Sequence, residues 1–197
     1  MLLPSEACLK GTVIMNRLLL FFVAALGMMA TAAWAETDKD RLDGLFEKLK
    51  AAPDPAAADV VAGQIKRIWM HSGSDTADLL MERADTALEH QDMPLSIELL
   101  DRLVMLAPDW AEAWNRRATL FYLMDDYPRA MSDIAETLKR EQRHYGAIAG
   151  MGLVFLQRGN KKLAYEAFER VLAIYPQLET AQKAVEELRP EVEGSPL

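Results

Sequence analysis

The stretch AEAWNRRATLFYLMDDYPRAMSDIAETLKR, residues 111–140, decides the fold. Its first part sets Trp114, Ala118 and Phe121 on one face of a helix, and its second part does the same with Ala130, Ile134 and Leu138. Between them Asp126 is an N-cap, whose short side-chain oxygen can accept from the first amides of the next helix. Pro128 follows inside the first turn, where a missing N–H costs little. The spacing predicts helices over about 110–124 and 127–139. The same design recurs at a period of 34 residues on both sides. Leu80, Trp114 and Ile148 align, then Ala84, Ala118 and Gly152, then Ala87, Phe121 and Phe155. Ser96, Ala130 and Ala164 align further on, followed by Leu100, Ile134 and Phe168. Asp92 and Asn160 match Asp126 as caps, Asp75 and Asp109 read as caps of first helices, and Pro108 and Pro176 close two of the copies. A fixed period of this length means stacked two-helix hairpins, an architecture that works by offering a surface to another molecule.

The aligned small residues are expected to let the two backbones of a hairpin approach, while Trp114, Phe121, Tyr127, Phe155 and Phe168 fill the space between hairpins. The run from Ala113 to Ala118, with Phe121, Tyr127, Ala130 and Leu138, resembles the tetratricopeptide repeat (TPR) family. So does the run Met151-Gly152, Phe155, Gly159, Ala164, Phe168 and Tyr175-Pro176. The resemblance covers Asp75 to Pro176. It implies an all-α fold, a short right-handed superhelical solenoid of antiparallel helix hairpins. The copies run about 77–110, 111–144 and 145–178. Three departures stand out. Arg83 and Arg117 replace a preferred Leu, Gln91 replaces a preferred Gly, and Glu141-Gln142 lacks the closing proline. A long Arg stem can cover apolar surface while its head reaches water.

Upstream, 36–74 reads as a degenerate hairpin capping the first repeat. One helix carries Leu42, Leu45, Phe46 and Leu49; the next carries Val60, Ile65, Ile68 and Trp69, opened by Asp54-Pro55. Downstream, Leu178, Ala181, Val185 and Leu188 form one side of a capping helix over 179–189, stopped by Pro190. A disordered tail is expected over 190–197.

Residues 1–35 read as a secretory signal peptide. Lys10 and Arg17 precede the apolar run Leu18–Ala30, and Ala33-Trp34-Ala35 sets cleavage after Ala35. Met15 is the expected translation start. Cys8 is the only cysteine and is lost with the signal, so neither disulfide nor lipid attachment is expected. This places the protein in the periplasm, without stable membrane insertion after cleavage. Secretion, or retention of the signal as an anchor, is the alternative. Cleavage would remove Glu6, Lys10 and Arg17, taking the net charge from −8 to −9. A chain this acidic is a poor nucleic-acid binder.

No constellation for catalysis stands out, and no enzyme activity, cofactor or metal is expected. His71, His90 and His144 are scattered, with His71 and Asp75 the nearest approach to a metal pair. Gly146, Gly150 and Gly152 lie within a predicted helix and make no phosphate loop. The pairs Glu186-Glu187 and Asp125-Asp126 read as solvated faces and caps.

The resemblance gives the first helix of each hairpin a groove-lining role. It falls on Asp78, Met81, Glu82, Asp85 and Glu89, then on Glu112, Asn115, Arg116, Thr119, Tyr122 and Leu123, and finally on Ala149, Gly150, Leu153, Leu156 and Gln157. That surface runs from acidic to apolar, which suits a peptide with a basic end and an apolar end. Asn115 and Arg116 are candidates for bonding a peptide backbone or carboxylate. The carboxylate clamp of some family members is not expected, because Met81, Asp85 and Gly150 stand where it needs polar or basic groups. The expected function is a non-enzymatic scaffold or adaptor for a protein or peptide in the cell envelope. The alternative is a self-associating component whose groove is an oligomer contact.

Overall fold

The computed structural model describes residues 39–192 and Gly194. The expected signal peptide, its cleavage site, Met15 and Cys8 lie outside the described residues, as do 193 and 195–197 of the expected tail. The chain divides into two compact units, 1–44 and 45–197. In the first, the described residues 39–44 are helical and begin α1, which covers 39–50.

The second unit is built from hairpins. After α2 (Pro55–Trp69) come α3 (Asp75–Glu89) and α4 (Met93–Leu106), then α5 (Ala111–Leu123) and α6 (Tyr127–Arg140), then α7 (Tyr145–Gln157) and α8 (Lys161–Ile174), closed by α9 (Glu179–Val192). Among the described residues there is no strand. The second helices start where the sequence puts them: Asp92, Asp126 and Asn160 accept from the backbone N–H of Leu95, Arg129 and Leu163 at 3.1, 3.1 and 3.2 Å. The turn before each cap needs one left-handed residue, and Gln91, Asp125 and Gly159 supply it with φ of 62°, 58° and 72°. Only the third uses the residue that takes this conformation freely. The first helices are capped differently from expectation. Ser74, not Asp75, caps α3, accepting from Ala77 N–H at 3.4 Å. Trp110 precedes α5 and supplies no side-chain cap, so Asp109 does not act as one.

Each core cluster joins one hairpin to the first helix of the next. Met81, Ala84, Leu100 and Leu103 pack with Ala113 and Leu120 of α5. Ala118, Phe121, Ala130 and Ile134 pack with Ala147 and Val154 of α7. Ile148, Phe168 and Val171 pack with Ala181, Val185 and Leu188 of α9. This nearest-neighbour sharing is what lets a solenoid bury a continuous core.

The small residues do more than thin the helices. Ser96 donates its hydroxyl to the Ala84 carbonyl at 2.9 Å, tying α3 to α4. At Gly152 the space is taken by the Phe168 ring: a Cβ there would lie 2.9 Å from Cζ. Arg117 does not carry its head to water. It makes a two-pronged bond to Asp133 at 2.7 and 2.8 Å and a third to Asp101 at 2.8 Å. At the other end Pro190 does not stop α9, which continues to Val192. Val192 packs on the last core cluster, and Glu191 pairs with Lys161 at 2.5 Å, so the final turn is held from both sides.

Candidate functional site

The expected groove is the concave side lined by α3, α5 and α7. Its floor is partly covered by α2, which does not merely cap the first repeat. Taken in order along the chain, its residues meet successively earlier repeats. Just before α2, the Ala52 carbonyl accepts from Gln177 at 3.3 Å. Asp59 accepts from the Tyr175 hydroxyl at 2.5 Å, and the Ala62 carbonyl from the Tyr145 hydroxyl at 3.5 Å. The Trp69 carbonyl accepts from the Trp110 indole at 2.6 Å. Met70 Sδ lies 3.4 Å from Arg116. A 15-residue helix is about 22 Å long, enough to cross two neighbouring repeats at about 10 Å apiece. The strap holds on through aromatic side chains rather than close backbone packing. Trp69 stacks on His144 with ring centres 4.2 Å apart and planes 12° apart, and leans on Phe46 and Tyr145 at 5.9 and 5.1 Å. Tyr145 meets Tyr175 edge-on at 5.4 Å. Burial, with Glu112 and Asp59 nearby, pushes the Tyr145 hydroxyl up to about 12, so it stays a donor at every physiological pH.

This strap changes the role of several expected groove residues. Met81 is 2% exposed and belongs to the first core cluster, against which Met70 packs. It is core, not groove. Glu112 is 6% exposed beneath the Trp69–His144 stack, where its carboxylate is shared three ways. Oε2 receives His144 Nε2 at 2.9 Å and Asn115 Nδ2 at 3.2 Å, and Oε1 lies 3.4 Å from Arg116. His144 Nδ1 accepts from Ala147 N–H at 3.1 Å, capping α7, so the ring proton sits on Nε2 and points at Glu112. Asn115 and Arg116, expected to hold a ligand, are therefore already engaged. Arg116 Nε also lies 3.5 Å from Asp85. Asp78 serves the turn into α3: its carboxylate accepts from Ser72 N–H at 2.9 Å, from the Ser72 hydroxyl at 2.5 Å, and pairs with His71 at 3.0 Å. Burial opposes its ionisation, but the Ser72 bonds and His71 outweigh that and hold the carboxyl below its ordinary value. Glu82 faces the free end of the stack, where it lines a depression with Leu79 and Leu99.

What remains open is the C-terminal half of the first helices. Asp85 and Glu89 stand at one end. Thr119, Tyr122 and Leu123 follow on α5, and Leu153, Leu156 and Gln157 on α7. Leu123 and Leu153 are 49% and 41% exposed. Tyr122 is half-buried; its hydroxyl accepts from Gln157 at 3.5 Å, and its ring lies 5.9 Å from that of Tyr127. Ala149 and Gly150 are half-buried between the two halves. Burial raises the Asp85 carboxyl above its ordinary value; Arg116 works against this, while Glu112 and Glu89 add to it. The open surface keeps the gradient read from the sequence, acidic at the first repeat and apolar at the third. Among the described residues no group of three metal-ligating side chains converges.

Stacked helical hairpins with a concave face define a solenoid repeat protein. Within that class, the chain is 44% identical over 161 residues to a TPR repeat-containing protein of Rhizobium etli, covering 82% of this chain and 79% of that one. The chain belongs to the tetratricopeptide repeat family. No family model matches it. Among solved structures it is similar to the first TPR of Spaghetti (RPAP3) bound to the HSP90 peptide SRMEEVD, with TM-score 0.56, 16% identity, 59% of this chain and 93% of that one covered. It is also similar to the Yersinia enterocolitica type III secretion chaperone SycD in complex with a peptide of the translocator YopD, with TM-score 0.56, 14% identity, and 60% and 95% covered. Both likenesses speak for the fold.

Proposed function

We propose that this protein is a non-enzymatic adaptor that binds an extended segment of another protein in the open half of its concave face. The observation that carries this is the exposure of Leu123 and Leu153 beside Tyr122, apolar groups left unburied on the first helices of their hairpins; the similar folds of RPAP3 and SycD were solved in complex with peptides. The preferred segment has a basic residue for Asp85 and Glu89 and apolar residues for Leu123, Leu153 and Leu156. An acidic tail such as the SRMEEVD peptide of the RPAP3 complex would meet like charge at the first repeat. The leader-like pattern of residues 18–35 supports a periplasmic setting, with a role in envelope assembly or integrity. A pull-down from periplasmic extract with the wild-type protein and with a Tyr122→Ala/Leu153→Asp variant tests the groove. Loss of the captured proteins from the variant is expected. An unchanged set would contradict the proposal. Arg116 is the wrong target for such a test, because its partners are internal.

A further inference from the structure

The two ends of the stack differ. α9 closes the last hairpin and turns Lys183, Glu186 and Glu187 outward. Among the described residues the first hairpin has no such cover. In each internal junction the second helix of one hairpin lies on the first helix of the next, α4 on α5 and α6 on α7. That packing leaves Ala113 and Leu120 at 0% and 1% exposure, and Ala147 and Val154 at 1% and 0%. Their counterparts on α3, 34 residues earlier, are Leu79, at 47% exposure, and the exposed Thr86. α2 does not fill this place, because it crosses the starts of α5 and α7 instead. With Leu95 and Leu99 of α4, Leu79 and Thr86 line a depression of about 500 Å³. It is a stacking surface without its helix.

We propose that this face docks an amphipathic helix of a partner protein, one that carries a single acidic side chain within its apolar stripe. Charge fixes the acid. Arg83 lies in the depression at the position of Arg117, which binds Asp101 of the preceding helix and Asp133 of its own hairpin. In the first hairpin Leu99 stands where Asp133 stands in the second, so the internal partner is gone. Among the described residues Arg83 makes no hydrogen bond or ion pair. The protein itself shows what satisfies such an arginine: α4 lays Ile97, Asp101 and Val104, one helix face, against α5. Glu82 and Asp92 on the rim disfavour a helix with many acids. Among the described residues a second copy of the chain offers no free helix of this kind, since the matching face of α4 is already used on α5 and the outer face of α9 is polar.

The probe is a fluorescent 14-residue peptide with the sequence of α4, MPLSIELLDRLVML, added to the purified protein and followed by anisotropy. Binding to the wild-type protein is expected, weakened roughly tenfold by Arg83→Glu. A peptide carrying D101K should regain affinity for the Arg83→Glu protein. Leu79→Asp should abolish binding while circular dichroism stays unchanged. No binding, or binding indifferent to Arg83, would overturn the proposal; the latter would mean that the peptide displaces the protein's own α4. Self-pairing in sedimentation that Leu79→Asp abolishes would overturn it in favour of a second copy.

Discussion

Replacing Trp69 by Ala should release the strap from the groove while leaving the repeats folded. The indole is 9% exposed and wedged between Phe46, His144 and Tyr145. Its removal costs about 3 kcal/mol or more, counting transfer and cavity together. Its N–H is buried without an acceptor among the described residues, so no hydrogen bond is lost to add to that figure. The bond from Trp110 goes to the Trp69 carbonyl and survives the substitution. Because α2 holds on by side chains, the loss should fall on the opening of the strap and not on the hairpins, which share cores independent of Trp69. Opening made easier by about 3 kcal/mol speeds amide exchange by about a hundredfold. Hydrogen-exchange mass spectrometry should show that acceleration in 55–69 and little change in α4, α6 and α8. Unchanged exchange in 55–69, or equal acceleration throughout, would refute the reasoning: the strap would then be either not held by Trp69 or inseparable from the core.

Three further outcomes follow from individual contacts. Gly152→Ala drives a methyl into the Phe168 ring and should cost about 1–3 kcal/mol in urea denaturation, whereas a neutral result would mean the ring moves aside freely. Gln91→Gly relieves a left-handed residue at an exposed turn and should raise stability by up to about 1 kcal/mol, seen as a higher thermal midpoint; a lower one would contradict the conformational argument. Asp85 gives a pH signature. Its carboxyl is raised in the folded state, so between the ordinary carboxylate value and that raised value the folded form binds more protons than the unfolded one. Stability from this group therefore grows as pH falls through that window and is lost as pH rises. Compared with Asp85→Asn, the wild-type urea midpoint should improve on acidification, and a change in the opposite direction would show that Arg116 outweighs burial.

The repeats were legible because stacking makes the same demand every 34 residues. Ala84, Ala118 and Gly152 are small for that reason, and Asp92, Asp126 and Asn160 cap the same bond. Even the strained turns were readable, since Gln91 and Asp125 align with Gly159. The strap was not. The stripe of Val60, Ile65 and Trp69 tells that α2 buries a face but not which surface receives it. A partial signal existed in Trp110, Tyr145 and Tyr175, aromatics at the starts and ends of repeats whose polar groups reach beyond the hairpin cores to α2. Polar pairs were harder. Glu112 and His144 lie 32 residues apart with nothing local to join them, and Arg117 finds Asp101 and Asp133 only through the stack. The expected groove thus included residues that the fold already uses. Met81, Glu112 and Arg116 occupy groove positions by register and are claimed by the protein's own core, strap and ion pairs.

The proposed binding face is divided in two, the N-terminal half of the first helices covered by α2 and the other half left for a partner. A photo-crosslinking amino acid placed singly at Leu153, at Glu112 and at the convex Met105, in living cells, tests this most directly. A discrete crosslinked partner is expected from Leu153, an internal crosslink to α2 from Glu112, and neither from Met105. A partner captured from Met105 and not from Leu153 would contradict the proposal.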